Sequence, residues 1–206
     1  MKSICLAFLI PILAGLSPVR ATESCCHAQT PAELRPLPGQ SLYQLDSTWL
    51  TDASTPIKLA ALRGKPQVLV MFFGSCRYTC PLTLNDLRAI ETALPADVRT
   101  NVGFTLVSFD SERDTPAALH QLRLDRGLTN SNWTLLHGSA EDVRELALLL
   151  GVQYRREADG NFSHSNLITL LDADGQIAFR QAGFNQPPDE IVNRLQSLPT
   201  ARPTIP

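Results

Sequence analysis

Two cysteines with three residues between them, Cys76 and Cys80, stand in residues 67–81, QVLVMFFGSCRYTCP. A thiol works as a nucleophile or as a soft metal ligand only in its thiolate form. Pro81 suits the first turn of a helix, where its missing N–H has no intrahelical partner to lose. Cys80 is therefore expected at the positive end of a helix dipole, with Arg77 as a nearby cation, and both favour ionised sulfur. The apolar run 68–73 before the pair reads as a strand buried on both faces. A strand that leads through a thiol loop into a helix brings both sulfurs to the strand's carboxyl end, where ligands gather in open α/β sheets. The competing reading is a structural disulfide or two inert core thiols. Inert thiols belong in apolar surroundings, and Gly74 before the pair, Arg77-Tyr78-Thr79 within it and Pro81 after it are not that.

The elements that must position these thiols follow from periodicity and punctuation. Residues 41–45 and 56–59 read as short strands with a polar turn, 51–55, between them. Apolar residues recur every three or four positions at Leu84, Leu87, Ile90 and Leu94, so 82–94 is an amphipathic helix stopped at Pro95. Residues 102–109 form a second buried strand. Thr115 caps a helix over 116–126, with Pro116 at its first position and Gly127 past its end. A short strand, 133–136, precedes a helix opened by Ser139 and Asp142 and ended by Gly151. After a polar loop through Gly160 come strand 167–171, the turn Asp172-Ala173-Asp174-Gly175, strand 176–181 and a closing helix near 188–198. Asp172 and Asp174 belong to a hairpin turn and not to a calcium loop, because the glycine falls too early and no closing glutamate follows. Strands alternating with helices, then a hairpin and a last helix, describe an α/β thioredoxin-like fold. It has a central mixed β-sheet flanked by helices, with strands added at the front.

The chain has 206 residues and 44% hydrophobic content, enough for one buried domain with tails. Its net charge is −2 and no Lys/Arg run occurs, which argues against nucleic acid as a partner. Lys2, an apolar stretch 4–16 and Val19-Arg20-Ala21 read as a signal peptide over 1–21, too short for the roughly 20 residues of a spanning helix. The expected location is outside the cytosol, in the periplasm, with an uncleaved anchor facing the periplasm as the alternative. Residues 22–40 hold Pro31, Pro36, Pro38 and Gly39 and read as a flexible tether, 41–198 as the domain, and 199–206 as a disordered tail. Within the tether, Cys25-Cys26-His27 offers three soft donors, either an auxiliary metal or intermolecular thiol site or an accident of a loose tail.

On this fold the residues just before strand 167–171 return to the thiols, and there the sequence reads Asn161-Phe162-Ser163-His164-Ser165. A lone histidine is more often an ordinary loop residue than a ligand. The topological position of His164 beside two thiolates reverses that preference. Cys76, Cys80 and His164 would make a soft three-donor site suited to copper, as Cu(I) or Cu(II). Structural zinc wants four ligands, and iron–sulfur clusters want more cysteines. Asp110 ends a strand on the same edge, where it either orients a ligand or simply turns the chain. Asp114 and Arg113 are expected to start the helix and form a surface ion pair. His120, on a helix, and His137, after a short strand, lack a cysteine partner in sequence.

Three ordered motifs resemble the Sco/SenC family. They are Gly74-Ser75-Cys76-Arg77-Tyr78-Thr79-Cys80-Pro81, Val107-Ser108-Phe109-Asp110-Ser111-Glu112-Arg113-Asp114-Thr115-Pro116, and His164-Ser165 ahead of Leu170-Leu171-Asp172-Ala173-Asp174-Gly175. The resemblance covers roughly residues 41–198. It implies a thioredoxin-like domain at or near a membrane that binds copper through Cys76, Cys80 and His164. It also implies assistance in assembling the dinuclear copper centre of cytochrome c oxidase, by delivering copper or by reducing the acceptor's cysteines. The implied partners are a copper-accepting oxidase subunit and a thiol–disulfide reductant. The chain departs from the family pattern at Arg77, where proline is usual, at Ser163, where an acidic residue is usual, and in a cleavable signal where an anchor is usual. Two readings follow: a metallochaperone, or a thiol–disulfide oxidoreductase with Cys76 and Cys80 as catalytic pair.

Overall fold

In the computed structural model, residues 36–75 and 79–199 are described, without the side chains at 79 and 80, and all of them belong to the unit Arg35–Pro206. The signal, most of the tether and the end of the tail lie outside the described residues. The first element is a 3-10 turn, Leu42–Gln44, where a strand was expected. Ser41 Oγ accepts from Tyr43 N at 3.1 Å and bends the chain, and Leu42 and Tyr43 are both buried although they are adjacent. A short hydroxyl side chain that captures a nearby N–H takes the backbone away from a sheet ladder. The first strand, β1 (Trp49–Thr51), instead begins at the fully buried Trp49, and β2 (Pro56–Ile57) pairs with it antiparallel.

β3 (Gln67–Phe72) leads into α1 (Thr79–Ala93), which buries Leu84, Leu87 and Ile90 on the predicted face, with Leu94 buried just past its end. Each fully buried leucine contributes about 2 kcal/mol relative to exposure. A short helix absent from the sequence reading, α2 (Ala96–Arg99), separates α1 from β4 (Gly103–Ser108). Then come α3 (Pro116–Asp125), β5 (Trp133–His137) and α4 (Ala140–Leu150). The caps are those the sequence announces: Thr115 Oγ1 accepts from Ala118 N at 3.3 Å, and Ser139 Oγ from Asp142 N at 3.1 Å. The segment expected as a polar loop contains a hairpin, β6 (Tyr154–Arg156) and β7 (Phe162–His164), whose Tyr154 faces His164 in register. β8 (Leu167–Leu171), β9 (Ile177–Ala182) and α5 (Asp189–Ser197) complete the chain.

Among the described residues, seven strands form one sheet in the order β2-β1-β5-β4-β3-β8-β9, and β6 and β7 form a separate pair. β3 and β4 lie centrally, run parallel, and are buried at every position, as their largely apolar runs require; of the polar members, Thr105 Oγ1 donates to Gln67 Oε1 at 3.1 Å. β8 is antiparallel to β3, so the chain just before β8 returns to the end of β3 where the cysteines follow. The β8–β9 turn is tied by Asp172, whose Oδ1 accepts from Asp174 N at 3.0 Å and Gln176 N at 2.9 Å. Gly175 there has φ +81°, and a Cβ on it would meet the Tyr43 ring at 2.6 Å. No helix among the described residues is long and apolar enough to cross a membrane.

Candidate functional site

Beyond β3 the chain continues through Phe73, Gly74 and Ser75, and α1 opens at Thr79 with Pro81 in its first turn. Cys76 and the Cys80 side chain lie outside the described residues, as do Cys25, Cys26 and His27; the surroundings of the cysteine loop are described on both sides. Gly74 N donates to Asp114 Oδ2 at 2.6 Å, and a Cβ at Gly74 would stand 2.7 Å from Asp114 Oδ1. The glycine before the cysteines is therefore a close-approach residue, since a carboxylate occupies the space of its missing side chain.

Asp114 is 5% exposed, which departs from the surface pair expected of it. Asp114 N donates to Asp110 O at 3.0 Å, closing one turn that aims its carboxylate inward. Ser108 Oγ donates to the same Oδ2 at 2.5 Å. Burial pushes the Asp114 carboxyl above its ordinary range, against the pull of the Ser108 and Gly74 bonds. The ion pair of this turn joins Arg113 to Asp110, a carboxylate 2% exposed that also accepts from Arg113 N at 3.3 Å.

His164 sits at the end of β7 with its ring against Phe109, at 5.0 Å between centroids, and edge-on to Phe73, at 5.8 Å. Phe109 in turn stacks on Tyr154 at 5.1 Å and meets Phe162 at 5.1 Å. His164 Nδ1 donates to Ser165 O at 3.1 Å; a carbonyl can only accept, so this bond places the proton on Nδ1 and leaves the lone pair on Nε2. Burial also holds the imidazole below its ordinary pKa of 6.5, opposed by the Ser165 bond. The side chain is thus a neutral imidazole with one nitrogen fixed, the form a metal ligand needs.

The start of α1 is fastened to the same stretch. Thr83 Oγ1 donates to Asn166 Oδ1 at 3.1 Å, Gly183 N to Asn166 O at 3.2 Å, and Asn185 N to Asp86 Oδ2 at 3.1 Å. Phe73 before the cysteines and Thr83 after them therefore both touch residues 164–166. Among the described residues, the other two histidines have partners of their own. His137 Nδ1 donates to Asp114 O at 3.0 Å, and His120 Nδ1 lies 3.5 Å from Asp52 Oδ2, which Arg123 also holds. A polar cleft of about 490 Å³ opens beside Lys65, Gln67 and Gly103, where β3 and β4 begin, at the opposite end of β3 from the cysteines. The aromatic wall and the inward turn of Asp114 were not read from the sequence. Phe73, Phe109, Tyr154 and Phe162 come from separate elements and show no local period.

The SCO1/SenC family model matches residues 40–200. The chain belongs to the SCO1/SenC family. A Stutzerimonas stutzeri protein named as copper-binding is 29% identical over 126 residues, 59% of this chain and 60% of that one, so the match spans less than two thirds of the relative's length. Arabidopsis thaliana ScoI, solved with copper bound, superposes with a TM-score of 0.63 at 22% identity over 73% of this chain and 96% of its own. BsSco, a member of the Sco family of cytochrome c oxidase assembly proteins in which a disulfide switch was identified, gives a TM-score of 0.65 at 21% identity over 79% and 97%. At these identities the structural likeness speaks to the fold. That fold is thioredoxin-like, with the mixed sheet and flanking helices read from the sequence. In this SCO1/SenC member the family match spans the Gly74–Asp114 contact, the aromatic wall and His164 alike.

Proposed function

We propose that this SCO1/SenC protein binds a copper ion through Cys76 Sγ, Cys80 Sγ and His164 Nε2 and hands it to a copper-accepting protein, a cytochrome c oxidase subunit being the acceptor the family resemblance implies. The observation that carries this reading is His164: a neutral imidazole whose Nδ1–H is directed to Ser165 O, set against Phe73, just past the end of the strand that leads to the cysteines. Two thiolates and one imidazole are a donor set that favours Cu(I) and leaves a fourth position for an acceptor's ligand. The copper-bound Arabidopsis ScoI and the copper-binding name of the Stutzerimonas relative support the cargo. Residues 1–21 fit export as a signal, which would put the site in the periplasm.

The test is Cu(I) affinity by competition with a chromophoric chelator. The wild type should bind tightly, and His164→Ala should weaken binding sharply while leaving disulfide exchange nearly intact. Unchanged affinity in His164→Ala rejects the ligand set. Stoichiometry decides the role of Cys25, Cys26 and His27, since a chain lacking the residues before Pro31 that binds as much copper as the full chain leaves them none.

The second reading is thiol–disulfide exchange, favoured by the helix-start position of Cys80 and by the disulfide switch of BsSco. One thiolate attacks an acceptor disulfide and releases one acceptor thiolate; the other cysteine attacks the mixed disulfide and releases the second. The acceptor is reduced, a Cys76–Cys80 disulfide forms, and an external dithiol must reduce it again. Reduction of a peptide disulfide that persists in Cys76→Ser and in Cys80→Ser rejects this reading.

A further inference from the structure

Two adjacent side chains on one turn reach in opposite directions, each to one half of the proposed copper site. The turn runs from Asp110 to Asp114 and is closed by the 3.0 Å bond from Asp114 N to Asp110 O. Asp114 reaches back to Gly74 N at 2.6 Å, two positions before Cys76. Arg113 reaches forward. Its Nη2 donates to Gly160 O at 2.6 Å, at the tip of the β6–β7 hairpin, and its guanidinium lies over the Phe162 ring at 5.7 Å. Its Nε donates to Asp110, whose burial makes a firm anchor. Phe162 and His164 point to the same face of β7, because side chains in a strand repeat every two residues. Whatever fixes Phe162 and the hairpin tip therefore fixes the approach of His164.

The hairpin has few other ties to this turn. Arg156 Nη1 meets Glu112 Oε2 at 2.7 Å, but both side chains are largely exposed and such a pair holds little. Phe109, just before the turn, stacks on Tyr154 and also meets Phe162 and His164, but these are ring contacts with no directed bond. Arg113 alone among these combines a buried anchor, a backbone bond to the tip and an aromatic face.

We propose that Arg113 is a positioning residue for copper: it clamps the histidine-bearing hairpin to the same turn that holds the cysteine loop, and so sets the spacing between His164 and the two thiolates. The inference rests on the reading that Cys76, Cys80 and His164 are the ligands. Lysine can neutralise Asp110, but one ammonium cannot bridge Asp110 and Gly160 while also covering the Phe162 ring. Arg113→Lys therefore separates the clamp from the charge.

The experiment uses the full chain as wild type, Arg113→Lys, Arg113→Gln and His164→Ala. Cu(I) affinity is read by chelator competition, Cu(II) coordination by absorption and electron paramagnetic resonance, and metal-free stability by thermal unfolding. Arg113→Lys should keep a near-wild-type Tm, lose about tenfold in Cu(I) affinity and shift the Cu(II) spectrum, since groups that orient metal ligands typically carry about 10–100-fold. Arg113→Gln should lose at least as much affinity; should it not fold, the lysine variant carries the test. Wild-type affinity and spectrum in the Arg113 variants, with His164→Ala weakened, overturn the positioning role and leave the ligand set standing. A lowered Tm with wild-type affinity and spectrum also overturns it, since that is a structural role only. Wild-type affinity in His164→Ala removes the ligand set and this inference with it.

Discussion

The central strands and the β6–β7 hairpin are held by different means. β3 and β4 pair over six consecutive positions and are buried throughout, whereas β6 and β7 pair over three and have no fully buried residue. The sheet is stabilised by apolar area removed from water, which is non-directional and large. The hairpin is held by an aromatic face and a few directed polar bonds, the Arg113 clamp among them. One region decides whether the chain folds; the other decides where one imidazole points. Stability and ligand geometry should therefore respond to different substitutions.

The largest effect should come from the sheet side. Leu87, fully buried on α1, packs in the main core, and Leu87→Ala should cost about 2–5 kcal/mol in urea unfolding. The folded fraction should keep its copper affinity; a large loss of affinity in that fraction would break the division. Gly74→Ala crosses the boundary, because its Cβ runs into Asp114. It should cost about 1–3 kcal/mol by overpacking and weaken copper binding as well. A variant that loses neither would show that the cysteine loop does not depend on the Asp114 contact.

A smaller, pH-dependent effect belongs to His164. Its folded pKa lies below 6.5, so between the two values the unfolded chain binds more protons than the folded one. Stability of the metal-free protein should be undiminished above about pH 6.5, fall as pH drops below it, and level off once the folded imidazole is also protonated. His164→Ala should flatten that part of the profile, and an NMR titration should place the His164 midpoint below the ordinary value. Smallest of all, Arg155→Gln removes an exposed pair with Glu157 on the hairpin and should change stability by less than about 0.5 kcal/mol. A larger change would mean that surface charge, not the aromatic face, seats the hairpin.

The same division explains which parts were legible in the sequence. The ends of α3 and α4 were readable because caps are local: Thr115-Pro116 and Ser139 act on donors within three residues. β3 and β4 were readable because burial on both faces leaves mostly apolar runs with few polar interruptions. The hairpin was missed because its strands have three residues each and carry Arg155, Arg156 and Ser163 outward; only Asp159-Gly160, a good hairpin-turn pair, marked it. The 3-10 turn at Leu42–Gln44 and β1 were displaced because Ser41 and Trp49 find partners that apolar pattern alone does not show. The return of His164 to the end of β3 was legible from topology, since the chain before an antiparallel neighbour of β3 must come back to that end. Burial of Asp114 and the reach of Arg113 were not legible, because both depend on contacts about 40 or more residues apart in the chain.

The borders of the sheet bear on how such a protein meets its partners. One border is β2, two residues long and beginning with Pro56, which has no N–H to offer. The other is β9, where the ladder to β8 is interrupted at Leu170/Leu171 and Arg180 turns its guanidinium back to the carbonyls of Leu149 and Leu150. Short, proline-led or charged margins discourage strand addition by another chain. Contact along either margin is thereby disfavoured; an acceptor of the kind proposed would instead have to meet the chain at the end where β3 gives way to the thiols, and could then leave it.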